Sequence, residues 1–259
     1  MDRVTSKDGT TITYDRLGSG PAVVLVSGGS VDKSSNAPLA ERLAESFTVY
    51  NYDRRGRGES GDTPPYAVER EVEDLDAVIG AAGGTAFVYG SSSGAALALE
   101  AAASGLPIAK LALWEPPYFL EGAAGRPPAD TAATYTRLVS EGRRGDAAEY
   151  FMSKVVGLPD EFVAQARNSP WWPAQEALAH TLAYDATIMG DYSLPVERAA
   201  SVTAPALVMA GGASYDWIRD SGKKLAEILP NGTYVELAGQ SHDVSAEAEA
   251  PVMTEFFTR

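Results

Sequence analysis

Strand patterns and helix patterns alternate along most of the chain. Residues 22–26 form a continuous apolar run, AVVLV, which is typical of a strand buried in a parallel sheet. A helical pattern over residues 36–47 and a β-branched and aromatic run over residues 47–53 follow it. Two more buried strands, each preceded by a helical pattern, are predicted at residues 85–90 and 108–115. This order predicts successive strand–helix–strand units.

The pattern changes from about residue 118 to about residue 202, where helical stretches are irregular and interrupted by prolines. Strands then return at residues 204–212 and 233–239, with a helical pattern after each. Strands that alternate with helices favour a mostly parallel sheet covered on both faces. We therefore predict an α/β core made of residues 1–117 and 203–259, and a helical insertion between them.

Composition narrows the chemistry that the chain can perform. Its 259 residues contain no cysteine, which excludes disulfides, thiolate metal sites and a cysteine nucleophile. The net charge of −14, without a basic cluster, argues against nucleic acid or an anionic membrane as a partner. We expect a small-molecule substrate, and neither a metal nor a cofactor is predicted.

The N-terminal residues contain no apolar targeting segment, and no stretch approaches the roughly 18 apolar residues that a membrane span needs. We therefore expect a cytoplasmic protein. The oligomeric state is not determined by the sequence, and a homodimer is compatible with it.

A run of three serines between two glycines follows the strand at residues 85–90. Ser92 is the only one of the three with a glycine two positions away on each side. This matches the Gly-x-Ser-x-Gly turn, or nucleophile elbow, which carries a nucleophile from a strand into the following elbow helix. Side chains at Gly90 and Gly94 would collide with the adjoining strand and helix. The pattern predicts Ser92 as a nucleophile and Ser91 as a polar turn residue.

Four motifs in this order resemble those of proteins with the α/β-hydrolase fold. They are LVSGGS at residues 25–30, YDRRGRGES at 52–60, GSSSG at 90–94 and GQSHDV at 239–244. The resemblance extends over essentially the whole chain. It implies an eight-stranded, mostly parallel sheet with helices on both faces and a helical cap at residues 118–202, inserted after the strand that follows the elbow helix.

Two backbone N–H groups are expected to stabilise negative charge on an attacked carbonyl oxygen. Ser93 opens the elbow helix, so its N–H points toward the reacting centre. The resemblance implies that the N–H of Gly29 is the second donor. Ser27 and Gly28 stand where the family usually has His-Gly.

A serine nucleophile requires a base, and the chain has two histidines. The order serine, acid, histidine on this fold favours His242, which follows the last strand in a short loop. His180 lies in the insertion, and we predict it as a cap-helix residue that lines the substrate pocket.

Two carboxylates compete for the third position of the triad. The family usually has an aspartate where this chain has Ser214, and Asp216 comes two residues later at the start of a helix, where it can cap that helix. Glu115 ends a buried strand, where a charge is costly unless it is paired. Zearalenone-type lactone hydrolases carry their acid at this strand, and their elbow is similar. We favour Glu115 and keep Asp216 as the alternative.

Two further motifs, the arginine-rich turn at residues 53–57 and the tryptophan pair at residues 171–172, each have a structural and a functional interpretation. The turn that contains Asp53, Arg54 and Arg57 is expected to be a structural corner behind the elbow rather than a carboxylate-binding site. Trp171 and Trp172 lie in the insertion, where they can roof an apolar substrate pocket or form the core of the cap.

The sequence therefore predicts a serine hydrolase that cleaves a small, mostly apolar ester or lactone through an acyl-enzyme. Two alternatives stay open. The same triad serves cofactor-free haloperoxidases and hydrolases of carbon–carbon bonds, and some members of the fold bind small molecules without catalysis.

Overall fold

The computed structural model describes residues 1–259 and contains one eight-stranded sheet. The strands are β1 Asp2–Thr5, β2 Thr11–Gly18, β3 Ala22–Val26, β4 Thr48–Tyr52, β5 Ala86–Ser91, β6 Ile108–Trp114, β7 Ala206–Gly211 and β8 Gly232–Leu237. Their order in the sheet is β1-β2-β4-β3-β5-β6-β7-β8. The pairs β1–β2 and β2–β4 are antiparallel, and all the other neighbouring pairs are parallel. The predicted mostly parallel, eight-stranded sheet is confirmed.

Helices cover both faces of this sheet. The helices of the α/β core are α1 Ala37–Leu43, α2 Val68–Ala81, α3 Ser93–Ala103, α10 Asp216–Ile228 and α11 Ala246–Thr258. Buried side chains of α2, α3 and α10 form one apolar layer, and those of α1 and α11 form the layer on the opposite face. Strands covered on both faces must be apolar throughout, which explains the continuous runs in β3 and β7.

The segment between β6 and β7, which we call the inserted segment, holds six further α-helices. They are α4 Thr131–Ser140, α5 Arg144–Tyr150, α6 Asp160–Arg167, α7 Trp172–Leu178, α8 Leu182–Met189 and α9 Val196–Ser201. Two small apolar clusters within residues 135–186 give this segment a core of its own. The two ends of the segment pack against the α/β core instead, since Phe119, Tyr192 and Ala199 belong to the main apolar cluster. None of the protein's helices combines the length and apolar character needed to cross a bilayer.

Candidate active site

The three-serine run forms a sharp turn between β5 and α3, at the carboxyl edge of the sheet. Ser92 has φ +54°, a left-handed conformation that is strained for a non-glycine residue. Its N–H donates to the carbonyl of Trp114 at 2.8 Å, which ties the turn to β6. A Cβ at Gly90 would lie 2.4 Å from the Gly94 carbonyl oxygen, and one at Gly94 would lie 2.3 Å from the Ser27 carbonyl oxygen. Glycine is therefore required at both flanking positions.

His242 and Glu115 form the second part of the site. Nδ1 of His242 lies 2.6 Å from Oε2 of Glu115, while the other carboxylate oxygen accepts the N–H of Gly211 at 2.7 Å. The carboxylate is fully buried, whereas the imidazole is 49% exposed. Trp114 Nε1 donates to the His242 carbonyl at 2.9 Å, so β6 also holds the histidine loop. Glu115 has φ +43°, a second strained position at this site.

The charge state of Glu115 suits a partner of histidine. Burial alone would raise the pKa of this carboxyl, but the hydrogen bonds from His242 and from the Gly211 amide hold it below its ordinary value. Glu115 is therefore negative at neutral pH. It can fix the tautomer of His242 and stabilise its protonated form.

Asp216, the alternative acid, lies elsewhere. It is the first residue of α10, and its side chain is 86% exposed and paired with Arg219. It forms no hydrogen bond or ion pair with His242. Of the two candidate acids, Glu115 alone is bonded to the imidazole.

Gly29 and Ser93 line the same cavity as Ser92. The N–H of Ser93 is the first of α3 and so has no acceptor within that helix. The N–H of Gly29, in the loop after β3, donates to no protein acceptor. A Cβ at Gly28 would lie 3.2 Å from Cβ of Ser92, so this loop passes directly beside the elbow. Backbone N–H groups that have no protein acceptor and lie beside a serine can donate hydrogen bonds to a group bound there.

A cavity of about 530 Å³ joins these parts. Its floor includes Ser92 and His242, and neither the Ser92 hydroxyl nor Nε2 of His242 has a hydrogen-bond partner within the protein. The inserted segment and α10 supply most of the apolar wall. Side chains of this wall include Phe119, Phe151, Val155, Met189, Tyr192 and Trp217. The cavity suits a small, largely apolar substrate with a reactive carbonyl.

Trp171, Trp172 and His180, which the sequence suggested as substrate contacts, do not line this cavity. For the two tryptophans the sequence left a core within the insertion as the alternative. Trp172 is buried in the small core of α5–α7, where its Nε1 donates to Glu176 at 2.9 Å. Trp171 is 44% exposed beside it. His180 packs beside the turn at Gly56. Helical spacing predicts that one face of a helix is buried, but it does not predict which neighbouring element covers that face.

Glu249 is a cavity residue that sequence reasoning missed. It lies in α11, is almost fully buried and lines the cavity near Tyr89 and Glu115. Burial raises the pKa of Glu249 to about 8, despite an opposing hydrogen bond from Tyr89. The available signal was an acid among the buried residues of α11, which are otherwise Ala246, Ala250, Met253 and Phe257.

Glu249 should make stability fall as the pH rises. Because its pKa is about 8 in the folded protein against an ordinary 4.5, the folded state keeps a proton that the unfolded chain releases between these values. Linkage then lowers the free energy of unfolding by up to about 1.4 kcal/mol per pH unit in this interval. Glu249→Gln removes this slope, so we expect it to be more stable than the wild type at pH 8 but not at pH 4. Urea denaturation across this range tests the expectation, and parallel curves for the two proteins would contradict it.

Comparison with known proteins identifies the family of the chain. The alpha/beta hydrolase family model matches residues 23–253, and the chain belongs to this family. An alpha/beta hydrolase from Sphaerobacter thermophilus DSM 20745 is 56% identical, and its crystal structure covers 99% of this chain and 100% of its own, with a TM-score of 0.92.

More distant relatives carry named activities. The pimeloyl (acyl-carrier protein) methyl ester esterase of Xanthomonas campestris pv. campestris is 39% identical over 100 residues, which are 38% of each chain. The first curated relatives are thus matched over little more than a third of their length. The enol-lactonase from Burkholderia xenovorans LB400 is 23% identical over 100% of both chains, with a TM-score of 0.74, and this similarity shows the fold alone.

Proposed function

We propose that this protein is a serine hydrolase that cleaves small, mostly apolar esters or lactones. The observation that carries the proposal is the hydrogen bond between His242 and the buried Glu115, with His242 and the elbow serine Ser92 facing one apolar cavity. Esterase relatives support the bond type. The acid at the end of β6, which resembles that of zearalenone-type lactone hydrolases, supports lactones as a second substrate class.

The proposed reaction proceeds in two halves. His242 takes the hydroxyl proton of Ser92 as its oxygen attacks the substrate carbonyl, and the N–H groups of Gly29 and Ser93 stabilise the oxyanion. The protonated histidine, stabilised by Glu115, returns the proton to the departing alkoxide and leaves an acyl-enzyme. A water molecule, deprotonated by His242, then attacks the acyl carbon. The bond to the Ser92 oxygen breaks, His242 returns the proton to that oxygen, and the acid is released. In a lactone the alkoxide stays attached to the acyl chain.

Labelling combined with a substrate panel tests the function. A fluorophosphonate should label the protein once, at Ser92, and p-nitrophenyl esters and lactones of graded size should be hydrolysed. Stoichiometric labelling without turnover of any ester or lactone would contradict the proposal and favour a small-molecule-binding role. Absence of labelling would contradict the nucleophile itself.

The cavity wall should determine which acyl groups bind well. Trp217 lines the cavity and stacks on Phe119 with ring centroids 4.1 Å apart. We expect Trp217→Ala to raise KM for apolar esters roughly fivefold, as expected from losing about 1 kcal/mol of apolar contact, with kcat changed less than twofold.

Trp171→Ala is the matched control, because Trp171 is a tryptophan outside the cavity. Steady-state kinetics over a series of acyl chain lengths compares the two variants. Equal effects of the two substitutions on KM would remove Trp217 from the substrate-contacting wall.

A further inference from the structure

Arg54 and Arg57, two fully buried arginines in the turn after β4, form hydrogen bonds with the loop after β3, which carries the oxyanion donor Gly29. Nη1 of Arg57 donates to the carbonyl oxygen of Gly28, and Nη1 of Arg54 donates to that of Ser27 at 3.2 Å. Neither arginine lines the cavity. They therefore act on the loop from behind rather than on a substrate.

The hydrogen bond from Arg57 to the Gly28 carbonyl determines the direction of the Gly29 N–H. The carbonyl of Gly28 and the N–H of Gly29 belong to one peptide group, which is planar and trans, so the two point in opposite directions. A hydrogen bond that holds the carbonyl against Arg57 thus aims the N–H of Gly29 the other way, toward the space beside Ser92. Neither glycine restrains this peptide by a side chain of its own.

Asp185 holds the arginines from the inserted segment. One carboxylate oxygen of this α8 residue accepts from Arg57 Nη2 at 2.8 Å, from Arg54 Nη1 at 2.9 Å and from the Ser93 hydroxyl at 2.8 Å. Burial alone would raise the pKa of Asp185, but the charges of Arg57 and Arg54 hold it below its ordinary value. Asp185 is therefore a buried anion that fixes both guanidinium groups.

We propose that Arg57 is a positioning residue that orients the Gly28–Gly29 peptide, and that Asp185 of the inserted segment keeps Arg57 in place. The inserted segment then completes the oxyanion hole as well as the cavity wall. The effect on catalysis rests on the proposed hydrolase function, whereas the orientation of the peptide does not.

The same turn supplies a matched control in Arg55. This arginine is equally buried and also paired with carboxylates, at 2.7 Å to Asp74 and 3.0 Å to Asp8, but it does not contact the loop after β3. Arg55→Met and Arg57→Met each remove one buried guanidinium and preserve most of the side-chain volume. Only Arg57→Met releases the Gly28 carbonyl.

Kinetics and crystal structures of the two variants test the proposal. We expect Arg57→Met to lower kcat roughly tenfold to a hundredfold, somewhat less than loss of a whole oxyanion donor, with KM changed less than about threefold. Affinity for an aryl trifluoromethyl ketone, whose adduct with Ser92 places an oxyanion in the hole, should fall in parallel. The crystal structure should show the Gly28–Gly29 peptide rotated. Arg55→Met should lower stability but keep kcat and the peptide orientation.

An unchanged Gly28–Gly29 peptide in Arg57→Met would overturn the proposal, whatever the enzyme hydrolyses. If the peptide is rotated in Arg57→Met but the wild type hydrolyses no ester, the orienting role of Arg57 stands and the proposed function is rejected. A rotated peptide with unchanged kcat and ketone affinity would overturn the catalytic part. If Arg57→Met does not fold, kinetics and a crystal structure of Asp185→Asn test the proposal instead, with the same outcomes. The amide of this variant keeps an acceptor oxygen but loses the charge that holds Arg57.

Discussion

Ser92→Ala is expected to abolish ester hydrolysis, leaving less than about a thousandth of the wild-type rate, because triad residues act as a unit and removing the nucleophile typically costs more than this. The hydroxyl makes no hydrogen bond within the protein, so its removal should change the free energy of unfolding by no more than about 0.5 kcal/mol. The variant should also lose fluorophosphonate labelling. Initial rates on a p-nitrophenyl ester, with denaturation curves, provide the measurement.

Ser91→Ala is the control for this substitution, since Ser91 is the adjacent residue, lines the same cavity and precedes the strained turn position. We expect it to keep most of the activity. Ser93→Ala should also retain most of it, because the substitution preserves the N–H that serves the oxyanion. Retention of more than a thousandth of the rate in Ser92→Ala would show that another group is the nucleophile.

The central sheet could be predicted from sequence because its strands are buried on both faces. Runs such as AVVLV in β3 and ALVMAG in β7 have few alternative placements. The first strand, Asp2–Thr5, could not be recognised, since a polar four-residue edge strand shows neither an apolar run nor a clear alternation. It forms because the adjacent strand β2 offers a free edge.

The inserted segment was predictable as helical but not in its packing. Its short helices bury side chains in different clusters, and the sequence pattern does not say whether a buried side chain meets the cavity, the sheet or another inserted helix. Trp172 illustrates this, because it packs against Met152 and Val163 rather than over the substrate space.

Part of the candidate site could be predicted from the sequence, and part could not. Ser92 and His242 were accessible from sequence because each lies in a motif whose position along the chain is characteristic of the fold. The contact between Arg57 and Asp185 joins residues 128 positions apart and has no motif. A weaker signal was present, since three arginines within four residues of a buried turn require carboxylates, and Asp185 is an acid within the apolar helix LAYDATIM.

Glu115→Gln is expected to lower kcat by roughly a thousandfold or more, because it changes the protonation of His242 without changing the shape of the site. Glutamine can still accept the Gly211 N–H through its carbonyl oxygen. Its amide nitrogen then faces Nδ1 and donates to it, which moves the ring proton to Nε2. An imidazole protonated at Nε2 cannot accept a proton from Ser92, and a neutral amide cannot stabilise the imidazolium.

Asp216→Asn is the matched comparison, since it makes the same chemical change at the other candidate acid. Asp216 is largely exposed and bonded to Arg219, so we expect less than a tenfold loss of activity, the range that follows from about 1 kcal/mol at a helix start. Steady-state kinetics of both variants, each shown folded by circular dichroism, provide the ranking. A larger loss in Asp216→Asn than in Glu115→Gln would assign the acid to α10. It would also require the Glu115–His242 hydrogen bond to break in the working enzyme, which the 2.6 Å distance and the buried carboxylate argue against.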